Sequence, residues 1–174
     1  LEKQPHAILY QHGIPDLKLP HVQTYCRSEA CLTCMYVPDE QKTVLAENWY
    51  DYVKPGDIVV VDECQRIWPT RGPTRPRPKS VSMMEVHRKF GVEMFFLTQH
   101  PSLVDSDLRK HFRRHLHVET NWKGRKLLEW DQCNDALKKT TARERPFKLP
   151  TEIFDLYKSA EAHIEIKRRK PMSF

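Results

Sequence analysis

The chain is poor in glycine. Its 174 residues hold five, Gly13, Gly56, Gly72, Gly91 and Gly124, and they are scattered. None precedes a Lys-Ser or Lys-Thr pair. The loop Gly-x-x-x-x-Gly-Lys-Ser/Thr, which cradles phosphates through backbone N–H groups, therefore does not occur in these residues. No apolar run is long enough to span a bilayer, and no signal-peptide pattern is visible. A disulfide framework is not expected either. Five cysteines are an odd number, and without a secretory signal they read as reduced thiols of a cytosolic protein. There is no internal repeat, so a solenoid is excluded. Hydrophobic residues make up 39% and mean hydropathy is −0.69, the pattern of one highly charged domain with a modest core. Net charge is +6, a mild bias toward nucleotide, nucleic acid or lipid headgroups.

What is present begins with two apolar runs. Asp57-Ile58-Val59-Val60-Val61-Asp62-Glu63 is followed about thirty residues later by Phe95-Phe96-Leu97-Thr98-Gln99-His100-Pro101. Each suits a parallel strand covered on both faces, with its C-terminal end opening into a crevice. Paired carboxylates at such an end form a Walker B terminus. Asp62 can hold Mg²⁺, and Glu63 can orient or deprotonate an attacking water. Gln99, ending the second strand, can sense a γ-phosphate. The competing reading of Asp62-Glu63 is the acidic start of an exposed helix.

The remaining chain reads as follows. Residues 7–10 form a short strand, followed by a turn at Gly13-Ile14-Pro15-Asp16. Residues 19–37 are an irregular, Cys-containing insertion. Helices are expected over residues 44–53, 80–90, 102–112 and 151–160, with Gly91 stopping the second. Residues 70–79 alternate Pro and Arg and cannot be regular. Arg71, Arg75, Arg77 and Lys79 there can touch DNA phosphates, but no interleaved aromatics offer base stacking. Residues 114–120 and 125–131 form a hairpin around Asn121-Trp122-Lys123-Gly124, and residues 163–166 a further short strand.

Cys26-x4-Cys31-x2-Cys34 is the other constellation. Three thiolates at this spacing can reach one tetrahedral zinc, with His21 or His12 as the nearest fourth ligand and His21 preferred. The competing reading is a loop with three reduced thiols. Cys64 is expected to be packed rather than reactive.

An ordered set of segments carries a resemblance. These are Ile14-Pro15-Asp16-Leu17-Lys18-Leu19-Pro20-His21, Val60-Val61-Asp62-Glu63-Cys64-Gln65-Arg66-Ile67-Trp68-Pro69, His87-Arg88-Lys89-Phe90-Gly91, Leu97-Thr98-Gln99-His100-Pro101, Asp107-Leu108-Arg109, Leu127-Leu128-Glu129-Trp130 and Asp155-Leu156-Tyr157-Lys158-Ser159-Ala160. Together they resemble the N-terminal cytoplasmic domain of the zonula occludens toxin-like proteins, the filamentous-phage assembly protein I family. The Thr-Gln-x-Pro element is also similar to that of the FtsK and HerA DNA-pumping ATPases.

The resemblance implies an α/β, P-loop NTPase-like fold of the additional-strand, FtsK/HerA-like kind. It has three layers, a mostly parallel sheet and a C-terminal β-hairpin, with residues 1–174 as a single domain. It implies an ATP- and Mg²⁺-dependent ATPase at the cytoplasmic face of the bacterial inner membrane, driving assembly and extrusion of filamentous phage. The partners implied are a homo-oligomeric ring, other phage assembly proteins, phage DNA, and the membrane through a C-terminal segment absent here. The basic run Lys167-Arg168-Arg169-Lys170 suits a juxtamembrane position. The family carries its P-loop upstream of the point where this sequence starts, so the sequence is expected to be a fragment beginning after that loop. Leu1-Glu2-Lys3-Gln4 would be the tail of the helix that follows it.

Within that frame Asp62 is the Mg²⁺ residue, Glu63 the base, and Gln99 the γ-phosphate reporter. One of Arg109, Arg113 and Arg114 is a candidate arginine finger supplied in trans, against a solvated basic face or DNA-phosphate contacts. The alternative function is a non-hydrolytic nucleic-acid-binding or scaffold module with a Zn²⁺-ordered Cys loop.

Overall fold

The β-branched run Ile58–Val61 occupies the middle of a four-stranded parallel sheet. The computed structural model describes residues 7–28, 31–122, 124–148 and 150–157. The sheet consists of β1 (Leu9–His12), β2 (Val22–Gln23), β3 (Ile58–Val61) and β4 (Glu93–Phe96), in the order β2-β1-β3-β4. The register pairs Leu9 with Ile58, His12 with Val61, and Val61 with Phe96. Asp57 fixes the entry to β3. Its buried carboxylate accepts the N–H of Ile8 at 2.9 Å and that of Lys54 at 2.7 Å, so two chain segments are tied before the strand starts.

Alternation along the strands gives the sheet two unlike faces. Tyr10, His12, Val59, Val61, Met94 and Phe96 share one face. The apolar members pack with the buried Trp49, Trp68, Val81, Met84 and Leu108 to form the core. Leu9, Gln11, Ile58, Val60 and Phe95 share the other. Phe95 there is 52% exposed, and Leu9, Ile58 and Val60 are half-buried.

The helical segments are shorter than the sequence predicts. Residues 44–53 hold a 3₁₀ helix over Ala46–Asp51, interrupted at Asn48. Its aromatic content serves packing: Trp49 is fully buried and its indole N–H donates to the Ser80 carbonyl at 3.3 Å. After α1 (Leu32–Met35), α2 spans only Lys79–Met83. Turns then lead to Gly91, whose φ of +62° ends the segment where a left-handed residue was expected. Residues 102–112 are divided. A 3₁₀ turn at Pro101–Leu103 is separated from α3 (Ser106–Arg109) by extended Val104. Asp105 begins α3 by accepting the N–H groups of Asp107 and Leu108 at 2.9 and 3.1 Å.

The Pro/Arg segment is irregular, as its composition demands, but it is tied down. The Arg71 guanidinium pairs with Asp105 and lies 2.7 Å from Asp107 Oδ2, while Arg77 bonds Glu85 at 2.5 Å. Trp68, buried just before it, donates its indole N–H to Ser80 Oγ at 2.9 Å and packs edge-on to Phe96.

A second, antiparallel sheet follows: β5 (His115–Asn121), β6 (Gly124–Trp130) and β7 (Arg143–Pro146). The β5–β6 hairpin falls where the sequence puts it. β7 was not expected, because Arg-Glu-Arg-Pro carries no apolar alternation. The last expected helix is a 3₁₀ turn at Thr151–Asp155. Residues 158–160, the strand expected at 163–166 and the basic run 167–170 lie outside the described residues. Among the described residues no helix is long and apolar enough to cross a membrane. The observed architecture is α/β, a four-stranded parallel sheet followed by a C-terminal antiparallel hairpin sheet.

Candidate nucleotide site and thiol cluster

The carboxyl ends of β1, β3 and β4 meet at one place. β3 ends by turning sharply. Glu63 adopts φ 48° and ψ 45°, a left-handed conformation costly for a residue with a Cβ. The turn is held from three sides. The Asp62 N–H donates to the His12 carbonyl at 2.9 Å, the Cys64 N–H to the Leu97 carbonyl at 3.0 Å, and the Glu63 N–H to Asp62 Oδ1 at 2.9 Å. Gly13, with φ +83°, lies directly against Asp62. A Cβ there would stand 3.2 Å from Asp62 Cβ and 3.3 Å from its carbonyl oxygen.

The Glu63 carboxylate is gripped by amides. Gln99 Nε2 donates to Oε1 at 3.1 Å, and Gln65 Nε2 donates to Oε2. Gln65 is oriented in turn by the Thr98 hydroxyl, which donates to its Oε1 at 2.8 Å. Gln65–Thr98 is a link the sequence reading missed. Asp62 is half-buried. Burial pushes its carboxyl above the usual range, against the lowering effect of the Glu63 N–H, and the Glu63 charge adds to the rise. Its Oδ2 carries no hydrogen bond among the described residues. Cys64 is fully buried, and burial, then the Asp62 charge, push its thiol up to about 12, so it is packed and unreactive.

The three candidate arginines separate. Arg109 bonds Asp135 at 2.5 Å, and Arg114 donates from Nε to Glu129 Oε1 at 2.7 Å. Arg113 is exposed and makes no ion pair among the described residues. It lines a groove of about 570 Å³ together with Phe95, Leu97, Gln99, Phe112 and His115.

On the core side of β1 lies the thiol cluster. Cys26, Cys31 and Cys34 are free and buried, and their sulfurs lie with a ring nitrogen of buried His12 within 4.8 Å of one another. The histidine that joins them is thus His12 and not His21, whose Nδ1 instead bonds the Leu19 carbonyl at 2.7 Å. The parallel pairing of β1 with β2 decides this. It brings Thr24 beside His12, whose Nδ1–H donates to the Thr24 carbonyl at 2.9 Å. The Cys31 thiol is drawn well below its ordinary value, first by its hydrogen bond with Cys26, against the opposing effect of burial. Cys26 is pushed up, first by its bond to Cys31 and then by burial, and burial raises Cys34.

The family model described as Zonular occludens toxin (Zot) matches residues 21–164. The chain belongs to the Zot family. Two of its relatives extend the picture. It is 31% identical over 128 residues to the Putative assembly protein ORF301 of Pseudomonas phage Pf3, a match covering 67% of this chain and 42% of that protein. The chain thus spans well under half the length of that curated relative. The crystal structure of the N-terminal domain of zonular occludens toxin from Neisseria meningitidis superposes with a TM-score of 0.74 at 30% identity. That superposition covers 90% of this chain and 83% of the other, so the Zot N-terminal fold extends over nearly all of it.

Proposed function

We propose that this chain is the ATP-hydrolysing part of a phage assembly protein. It works at the cytoplasmic face of the host inner membrane and drives assembly and extrusion of filamentous phage. The observation that carries this reading is the meeting of Asp62, Glu63 and Gln99 at the ends of two adjacent parallel strands, with Gln99 Nε2 3.1 Å from Glu63 Oε1. Membership of the Zot family and the name of the Pf3 relative support the phage-assembly setting.

Asp62 suits Mg²⁺, since one carboxylate oxygen is fixed by the Glu63 N–H and the other is uncommitted among the described residues. The bound ion would neutralise phosphate charge. Glu63 orients and deprotonates the attacking water, and Gln99, already bonded to Glu63, couples its position to the γ-phosphate. Arg113 is the finger, offered to the next copy in a homo-oligomeric ring, because Arg109 and Arg114 are spent on Asp135 and Glu129. Other phage assembly proteins, phage DNA and a membrane segment beyond this chain are its partners.

The phosphate-cradling loop comes from an upstream segment. Support lies in the half-covered sheet face of Leu9, Ile58, Val60 and Phe95. Parallel sheets are ordinarily covered on both faces, and the helix that follows a P-loop is the element suited to cover this one. The alternative, a non-hydrolytic nucleic-acid or scaffold module, draws less support. Arg71 and Arg77, two of its expected phosphate contacts, are bonded to Asp105, Asp107 and Glu85.

Steady-state ATP turnover of the protein extended upstream, beside its Glu63→Gln variant, tests the reading. Turnover is expected to fall by about 10²–10⁴-fold with nucleotide binding retained. Absence of both binding and hydrolysis in the extended wild type would refute it.

A further inference from the structure

The geometry points to a structural zinc ion held by His12, Cys26, Cys31 and Cys34. Zn–S bonds of about 2.3 Å and a Zn–N bond of about 2.0 Å at tetrahedral angles set S···N edges of about 3.6 Å and S···S edges of about 3.8 Å. Cys31 Sγ lies 3.6 Å from His12 Nε2, and all four ligand atoms lie within 4.8 Å of one another. Seating the ion therefore asks for a contraction of about 1 Å at most.

The surroundings are those of a ligand set. The Thr24 carbonyl can only accept, so the proton of the neutral imidazole sits on Nδ1, and the lone pair of Nε2 is turned toward the sulfurs. The Cys26 N–H points at Cys34 Sγ at 3.3 Å, the contact that stabilises a metal-bound thiolate. Cys31 and Cys34 flank one tight turn, with the Cys34 N–H donating to the Cys31 carbonyl at 3.0 Å. Without metal, three thiols and an imidazole nitrogen would be buried together with few partners.

Three sulfurs and one nitrogen, all buried, leave no open position, so the ion is structural and takes no substrate. Its effect reaches the neighbouring site. Nε2 of His12 ligates the metal while the same residue's carbonyl accepts the Asp62 N–H at 2.9 Å. The zinc thus fixes the residue against which the turn at Asp62 is built. It also gives the 19–37 insertion, which has little regular structure of its own, a fixed attachment to β1.

Metal content tests this on protein purified without chelators, whether or not that protein hydrolyses ATP. About one zinc per chain is expected. Replacement by Co²⁺ should give thiolate-to-cobalt charge transfer and the intense visible bands of a tetrahedral ion. His12→Cys should retain cobalt and shift these bands toward the four-thiolate form, whereas His21→Ala should leave them unchanged. Folded wild type that carries no zinc and shows no tetrahedral cobalt spectrum would overturn the proposal. So would a spectrum that moves with His21→Ala and not with His12→Cys.

Discussion

Exchanging Glu63 for glycine should leave a more stable protein than exchanging it for alanine, the reverse of the usual order. At an ordinary position glycine is the worse choice by roughly 0.4–1 kcal/mol, because it frees the unfolded chain. Glu63, however, sits at φ 48° and ψ 45°. There a Cβ crowds the following carbonyl and costs roughly 1–2 kcal/mol, which glycine avoids. Both variants lose the same bonds to Gln65 and Gln99, so that loss cancels between them. The difference that remains is about 0.5–1 kcal/mol in favour of glycine. Urea denaturation of the two variants side by side measures it. For a chain of this size it corresponds to about 2–4 °C in Tm per kcal/mol. Neither variant should hydrolyse ATP, so stability and turnover are separated at one position. An alanine variant with a midpoint equal to or above that of the glycine variant would refute the claim that the turn stores strain.

Two further predictions concern the polar interior. Ser80→Ala removes the acceptor of the buried Trp68 indole N–H and should cost about 1–3 kcal/mol in denaturant titrations, while a neutral result would mean that water takes its place. The Arg71 staple should show in acid. Lys110 first, then Arg71, hold the Asp107 carboxyl down to about 2. At Asp105, burial pushes upward, but Arg71 and the Asp107 and Leu108 N–H groups outweigh it and keep it below its ordinary value. Both folded values lie below the unfolded ones. Their stabilisation is therefore complete above about pH 4 and lost as pH falls toward 2. Arg71→Gln should flatten that acid limb in a Tm–pH series, and an unchanged slope would sink the assignment.

What could be read from the sequence depended on range. β3 and β4 were visible because each is written as a continuous apolar run, although β4 leaves Phe95 exposed where cover on both faces was expected, and Asp62, Glu63 and Gln99 follow from where those runs stop. The cysteines were visible by their spacing. His12 and His21 were both open as their fourth neighbour and the nearer, His21, was preferred; His12 lies fourteen residues before Cys26, and the pairing of β1 with β2 brings the two segments together. His21 was nearer in sequence and remote in effect. Helical spacing overstated the helices: extended Val104 and non-helical Asn48 interrupt stretches whose apolar spacing alone reads as continuous. The fate of the loop arginines depended on Asp105 and Asp107, more than thirty residues away.

β1 is four residues long, and its alternation assigns its neighbours to different tasks. His12 faces the sulfurs, Gln11 the opposite side of the sheet, and Gly13 makes room for Asp62. A slip of one residue would turn every side chain over. It would put Gln11 among the thiols and a bulky residue against the carboxylate turn. Divergence along this strand should therefore proceed by exchange of side chains at fixed length, with gains and losses of residues confined to the loops on either side.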